Sequence, residues 1–154
     1  MGIAPSVEVV ARTIYGESRG LPVLDRLAVG LVIWERVKRP GWWGTDFESV
    51  CRAPNQFSCW NEGNVNLPKL LLAPVNDPIV WKEVVNLAEF IVYYASDRDQ
   101  RQVWATNEVD RFPTHYARRE LFPKWREGAQ VVPTLWDSAH LFYAGVKGSP
   151  RRAG

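Results

Sequence analysis

The sequence contains few of the residues that hold small extracellular or metal-stabilised proteins together. In 154 residues it has two cysteines and two histidines. Free cytosolic thiols are the ordinary state of such a cysteine pair, and a disulfide between Cys51 and Cys59 is the alternative for a protein that works outside the cytoplasm. Combined with His115 and His140, the cysteines match no zinc-finger spacing, so we expect neither a metal nor another cofactor.

A long apolar run and a marked excess of one charge are also absent. The longest apolar segment, over residues 87–95, is broken by Glu89 and is too short for a membrane span. With 19 Lys and Arg against 17 Asp and Glu, electrostatics give no reason to expect nucleic-acid binding. The N-terminus lacks the basic and apolar segments of a secretory signal. We therefore expect a monomer without membrane insertion, made in the cytoplasm and released by another agent.

Tryptophan, in contrast, is abundant, with eight residues in a chain of single-domain length. We treat residues 1–154 as one domain that can bury a core without disulfides. Its basic end, over about 147–154, is predicted to be a disordered tail. Trp42 and Trp43 lie in a loop of proline and glycine, where aromatic side chains are better placed for a ligand than for the core.

Apolar side chains recur at helical spacing in three long segments. The predicted helices cover residues 7–16, 24–38 and 78–96, with Ser6 and Asp77 as N-caps of the first and third. A loop-rich region separates the second from the third, with short helical pieces near 47–51 and 67–72. After the third helix, apolar or alternating segments at 103–106, 114–116 and 139–143 predict short strands. Helices followed by small strands indicate an α+β domain in which helices dominate.

Glu17 is the residue that carries the most chemical information. It lies where the first predicted helix meets a turn that contains Gly20 and Pro22. A carboxyl group at such an end can be held rigidly while it faces a cleft, and partly apolar surroundings would raise its pKa as a general acid requires. The alternative is a solvated side chain in the last turn, paired with Arg19.

Three further clusters combine aromatic rings with hydrogen-bonding groups, as sugar-binding sites do. We predict that they bind substrate through Gln56, Phe57, Ser58, Trp60, His115, Tyr116, His140 and Tyr143, and that Gln56, Trp60, His115 and Tyr116 converge on one groove with Glu17. The alternative is structural, because loop aromatics often complete a core and a histidine in a short strand is more often a packed residue than a catalyst.

Several of these segments resemble, in the same order, the motif blocks of the spore cortex-lytic type of cell wall hydrolases. The similar segments are 11–20, which contains Glu17, then 27–37, 56–60, 114–116, 123–125 and 140–143. Together they cover about residues 7–144. The compact length without a wall-binding module resembles a phage endolysin, which is carried in the host cytoplasm until lysis.

The resemblance implies a peptidoglycan-cleaving glycosidase with a lysozyme-like or lytic-transglycosylase-like fold and Glu17 as the catalytic acid. Its substrate would be the glycan strand, cut between N-acetylmuramic acid and N-acetylglucosamine. An ordinary glycosidase needs a second carboxylate, for which Asp46, Glu48, Glu62 and Asp110 are weak candidates. A lytic transglycosylase works with one glutamate, so we favour that reaction.

Four alternatives stay open at this point. One is a muramidase that hydrolyses the same bond. Another is a zinc-dependent N-acetylmuramoyl-L-alanine amidase that uses His115, His140 and a cysteine as ligands. The third is a cysteine peptidase, although neither cysteine lies at a recognisable helix start. The last is a non-catalytic wall-binding module, for which the aromatic rings would suffice.

Overall fold

The computed structural model describes residues 2–54 and 56–153 and contains three long helices, four short ones and a small sheet. The helices are α1 (Pro5–Ser18), α2 (Val23–Lys38), α3 (Phe47–Arg52), α4 (Leu67–Leu71), α5 (Ala73–Asn76), α6 (Pro78–Tyr93) and α7 (Asp97–Val103). Single 3₁₀ turns lie at Ser58–Trp60, Val109–Arg111 and Lys124–Arg126. The strands are β1 (His115–Arg118), β2 (Gln130–Val132) and β3 (His140–Ala144).

The core lies between α1, α2 and α6, whose apolar faces pack against one another. Gly30 lets α2 approach α6 closely, because a Cβ atom at this position would lie 2.8 Å from Cγ1 of Ile91. The helix α2 is buried nearly all round, as expected of a central helix. The predicted helix-dominated α+β class is therefore confirmed.

The sheet is antiparallel, with β3 between β1 and β2. Tyr116 pairs with Phe142, and Arg118 pairs with His140. Directly paired residues share a face of the sheet, and successive residues alternate between faces. The face that carries Tyr116, Arg118 and His140 is the one that meets Glu17 at the end of α1.

The predicted helix ends need correction. The first helix begins at Pro5, one residue before the predicted N-cap Ser6, and no side chain caps it. Proline is preorganised for a first helical position, where its missing N–H would be unpaired in any case. Asp77 does precede α6, but its side chain accepts a hydrogen bond from the Tyr15 hydroxyl at 3.2 Å instead of capping the helix.

The segment after α6 was the least predictable part of the chain. The strand predicted over 103–106 is wrong, because Val103 ends α7 and Trp104 forms only an isolated bridge with Thr134. The helix α7 itself has few apolar residues and starts with a capping box between Ser96 and Asp99. In the described part of the chain, no helix is both long and apolar enough to cross a membrane.

The described part of the basic tail, residues 147–153, packs against the fold, contrary to the prediction of disorder, and residue 154 lies outside the described residues. Arg152 donates to both Glu35 carboxylate oxygens, at 2.8 and 2.6 Å, and to Asp97 at 2.7 Å. Glu35 is fully buried and also binds Arg39 at 2.8 Å. A buried carboxylate is very costly without cationic partners, so the end of the chain is held against α2.

Candidate active site

Glu17 lies in the last turn of α1, with part of its side chain open to a groove. The Tyr116 hydroxyl donates a hydrogen bond to its Oε1 atom, and the thiol and backbone N–H of Cys59 lie near enough to the carboxyl group to lower its pKa. Gly16 permits this contact, because a Cβ atom there would lie 2.8 Å from both Cβ and Sγ of Cys59. The carboxyl group is therefore fixed from two sides.

Burial raises the pKa of Glu17 above its ordinary value, and this effect exceeds the opposing effects of the hydrogen bonds and of the Arg36 charge. The negative end of the α1 dipole also disfavours the ionised form. Burial likewise raises the pKa of Tyr116 well above its usual range, so the phenol stays a hydrogen-bond donor. A raised pKa favours the protonated carboxyl group, which is the form that can give a proton to a bound substrate.

Two adjoining cavities form a groove around Glu17. The larger has a volume of about 840 Å³, and the smaller, of about 320 Å³, shares Glu17, Asn66, Arg118 and His140 with it. We call the two together the Glu17 groove. Its larger part is also lined by Arg36, Trp42, Gln56, Phe57, Ser58, His115, Tyr116, Leu121, Phe122, Trp125 and Lys147. A long groove with aromatic walls and a central acid can hold a polymer across its reactive bond.

The groove brings together six of the eight side chains predicted to bind substrate. The six that line it with Glu17 are Gln56, Phe57, Ser58, His115, Tyr116 and His140. Their roles in substrate binding remain predictions.

Trp60 does not line the groove, and its predicted convergence with Glu17 is wrong. Its Nε1 atom donates to Thr13 Oγ1 at 2.8 Å, and the Arg52 guanidinium lies 4.7 Å from its ring centroid. It borders a separate cavity of about 250 Å³ with Glu8 and Arg52. A 3₁₀ turn rotates each residue by about 120°, so Ser58 faces the groove while Trp60, two residues later, faces away.

Tyr143 also lies outside the groove, one layer behind it. The residue is buried, and its ring contacts the Trp125 ring edge-on at a centroid distance of 5.2 Å. It is the cross-strand partner of His115, on the sheet face opposite Tyr116. Tyr143 therefore supports the groove wall through Trp125 and His115.

The two histidines in the groove are neutral near pH 7. Burial, aided by the Arg36 charge, lowers the pKa of His115 to about 3, and its Nδ1 atom is 2.8 Å from Thr114 Oγ1. Burial also lowers the pKa of His140, although Asp25 acts in the opposite direction. Neutral imidazoles can donate or accept hydrogen bonds at the groove wall, but they supply no acidic proton at this pH.

Sequence reasoning missed Arg36, which is 4% exposed and lines the groove. Its guanidinium lies between the rings of Trp43 and Phe57, at 4.8 and 5.0 Å from their centroids. Trp43 is accordingly buried, which corrects the expectation that it faces a ligand, whereas Trp42 is 62% exposed at the groove. The sequence did offer one indication of Arg36: it is a charged residue in α2, a helix whose apolar residues cover nearly its whole circumference.

None of the four candidate second carboxylates lies in the groove. Asp46 caps α3 by accepting from Ser49 N at 2.8 Å, and Glu48 borders the Trp60 cavity. Glu62 and Asp110 are exposed elsewhere. Among the described residues, Glu17 is the only carboxylic acid that lines the groove, and no three His, Cys, Asp or Glu side chains are grouped as a metal site.

Cys51 and Cys59 are free, buried thiols, and a disulfide between them outside the cytoplasm stays a prediction. Burial raises the pKa of the Cys51 thiol to about 12 and that of Cys59 further still. Formation of a disulfide requires a thiolate, which burial makes scarce. Cys59 instead lies beside Glu17 as a neutral thiol, and the two groups influence each other's pKa.

The comparison with known proteins agrees with this site. A family model described as Cell Wall Hydrolase matches residues 20–143, which span most of the chain and include the groove from Arg36 to His140. The match starts just after Glu17, so it does not include the predicted acid. No curated protein and no solved structure matches the chain. This chain belongs to the cell wall hydrolase family, of the spore cortex-lytic type, whose members degrade peptidoglycan.

Proposed function

We propose that the protein is a lytic transglycosylase that cleaves the bond between N-acetylmuramic acid and N-acetylglucosamine with Glu17 as its only carboxyl catalyst. The observation that carries the proposal is the isolation of Glu17: no second carboxylic acid among the described residues lines its groove. The raised pKa of Glu17 and the membership in a peptidoglycan-degrading family support it.

In the first step, protonated Glu17 gives its proton to the oxygen that links the two sugars. The bond between that oxygen and C1 of the muramic acid breaks, and the departing N-acetylglucosamine keeps the proton as its 4-hydroxyl group. The hydrogen bond from Tyr116 then stabilises the carboxylate that remains, since hydrogen bonds to a charged group are stronger than those to a neutral one.

In the second step, the Glu17 carboxylate acts as a base. It removes the proton of the muramic acid 6-hydroxyl while that oxygen attacks C1, which closes a 1,6-anhydro ring and restores protonated Glu17. No water is consumed, and no second carboxylate is needed. The same residue can serve as acid and base because Arg36 and Tyr116 favour its ionised form while burial favours its neutral form.

A muramidase that hydrolyses the same bond is the second candidate. Retaining and inverting glycosidases place a second carboxyl group about 5–5.5 or 6.5–9.5 Å from the acid, respectively. The described residues of the groove offer none. A zinc amidase finds no grouped ligand set around His115 and His140 in the described chain, and a cysteine peptidase would need a thiolate that burial disfavours.

The remaining expectations belong to this proposal. They are a lysozyme-like catalytic domain over residues 1–154, a monomeric state, synthesis in a host cytoplasm and action on the wall after release, as in a phage endolysin. Cell fractionation tests the endolysin role. If a bacterium that produces the protein also secretes it in active form, that role is wrong, whereas the proposed reaction is unaffected.

Mass spectrometry of digested peptidoglycan tests the proposed reaction. A transglycosylase releases muropeptides that end in anhydro-muramic acid, lighter by one water than the reducing ends from a muramidase. An amidase releases free stem peptides, and a binding module releases nothing. Anhydro ends that disappear with Glu17→Gln are the expected result.

A further inference from the structure

Arg36 is a buried cation without a counter-ion. Two other largely buried arginines, Arg39 and Arg152, bind the buried carboxylate of Glu35 at 2.8 and 2.6 Å. No carboxylate of the described chain lies within 4.0 Å of the Arg36 guanidinium. A buried charge without an opposite charge lowers the stability of the fold. The presence of Arg36 at this position therefore suggests a role other than stabilisation.

The protein holds the Arg36 guanidinium in one orientation but satisfies it only in part. Nε donates to the carbonyl oxygen of Thr114 at 2.8 Å, and Nη1 donates to Gln56 Oε1 at 3.3 Å. The rings of Trp43 and Phe57 cover its faces. The described chain supplies no hydrogen-bond acceptor to Nη2, and this atom is not among the buried polar atoms without a partner. The edge of the guanidinium that carries Nη2 is therefore open to the groove.

Glu17 acts on this cation from a distance and forms no direct ion pair with it. The two side chains form no ion pair within 4.0 Å, and burial raises the pKa of Glu17, which favours its neutral form. Arg118 and Lys147 add two more cations to the same cavity. Glu120 pairs with Arg118 at 3.0 Å, but both are exposed. Three cationic side chains thus line the groove, and Glu17 is the only carboxylic acid among the described residues that line it.

We propose that Arg36 anchors a carboxylate on the 3-O-substituent of muramic acid, so that the groove selects glycan strands that are acidic at this position. The inference rests on the proposed function and adds the substrate feature that the site recognises. A guanidinium with one free edge is suited to a carboxylate, because its planar N–H groups match two carboxylate oxygens. Two sources carry this chemistry: the lactyl carboxylate of a strand without peptide, and the carboxylates of a stem peptide.

Binding measured without cleavage tests the proposal. The protein carries Glu17→Gln, and calorimetry compares three tetrasaccharides: neutral chitotetraose, alternating N-acetylglucosamine and N-acetylmuramic acid with free lactyl carboxylates, and the same oligomer with stem peptides. We expect an acidic oligomer to bind about tenfold or more tightly than chitotetraose, the range of a hydrogen bond to a charged group. Preference for the bare oligomer identifies the lactyl carboxylate, and preference for the peptide-bearing oligomer alone identifies the stem.

The variant Arg36→Gln in the same background should abolish this preference, measured as the ratio of the affinities for the acidic oligomer and for chitotetraose. The matched control is Arg98→Gln, an exposed arginine of α7 outside the groove, which should keep the preference. Equal affinity for acidic and neutral oligomers in the parent, or a preference that survives Arg36→Gln, would overturn the proposal. If Glu17 is not the acid, the acidic oligomer is cleaved during titration, which mass spectrometry of the sample detects as a separate failure.

If Arg36→Gln does not fold, a crystal structure of the Glu17→Gln protein with the preferred acidic oligomer decides the question. The expected result is a carboxylate oxygen within hydrogen-bond distance of Arg36 Nη2. A carboxylate bound by Arg118 or Lys147 instead, with no anion at Arg36, would contradict the assignment.

Discussion

The hydroxyl group of Tyr116 donates a hydrogen bond to Oε1 of Glu17, which joins the edge strand of the sheet to the last turn of α1. The two residues are 99 positions apart in the chain, so the acid reaches its final environment only when the sheet packs against the helices. The environment of Glu17 in the N-terminal helix therefore depends on correct folding of the C-terminal sheet.

Tyr116→Phe should shift the pH dependence of lysis in a defined direction. The hydrogen bond from Tyr116 lowers the pKa of Glu17 against the larger effect of burial, so its removal raises that pKa further. The rate of an enzyme that needs a protonated acid falls as pH rises through this pKa, and the basic limb of the pH–rate profile should therefore move to higher pH. The maximal rate should drop about tenfold, since the carboxylate loses a charge-assisted hydrogen bond.

Tyr93→Phe, at an exposed tyrosine of α6, is the control and should leave the profile unchanged. A basic limb that stays in place in Tyr116→Phe would show that the hydroxyl does not tune the acid.

Substitution of Trp42 and of Trp60 should separate function from packing. Trp42 is largely exposed at the groove, so Trp42→Ala should lower the lytic rate and leave the melting temperature nearly unchanged. Trp60 packs against the core and bonds Thr13, so Trp60→Ala should lower stability, by up to about 3–5 kcal/mol, and cleave normally at low temperature. Paired measurements of melting and lysis check both, and a slow but stable Trp60→Ala protein would return that ring to the substrate site.

Arg152→Ala should destabilise the fold without affecting catalysis at low temperature. The substitution removes hydrogen bonds to the buried carboxylate of Glu35, which keeps Arg39 and Gln100 as partners. We expect a loss of about 1.5–3 kcal/mol, the range for a hydrogen bond to a charged group. Urea unfolding measures it, with the exposed Arg151→Ala as control. An unchanged unfolding free energy would mean that the tail is not held as the structure indicates.

His115 should make the fold less stable in acid. Burial holds its pKa at about 3 in the folded protein, against about 6.5 in an unfolded chain. Between these values the unfolded state binds more protons, so the free energy of unfolding falls as pH drops from about 6.5 to 3, by at most about 5 kcal/mol. Urea unfolding from pH 7 to pH 4 should show a smaller slope for His115→Gln than for the wild type. Equal slopes would show that His115 is protonated in the fold.

The sequence was sufficient for the long helices and for the position of Glu17. The periodic apolar residues of α1, α2 and α6 identify them, because burial of one face decides where such helices form. The turn at Gly20 likewise places Glu17 at a helix end. The helix α7 was missed because it has almost no apolar face and depends on the capping box of Ser96 and Asp99.

The groove was predictable only in part, since its walls depend on tertiary packing. The motif around Gln56 was correctly expected near Glu17, but the rotation of a 3₁₀ turn directs Trp60 to the other side of α1. Arg36 was missed because local sequence does not show which charged residue of a buried helix faces a cavity. The order of the tail depends on Glu35, a buried carboxylate whose need for Arg152 appears only when α2 is at the centre of the fold.

Product analysis with the wild type and Glu17→Gln tests the central claim, that one carboxyl group performs the whole reaction. The substitution preserves size and hydrogen-bonding shape but removes the transferable proton, so lysis of purified peptidoglycan should slow at least about a hundredfold while the melting temperature stays close to that of the wild type. Mass spectrometry of the wild-type digest should find anhydro-muramic ends. Reducing ends from the wild type, or normal lysis by Glu17→Gln, would contradict the account.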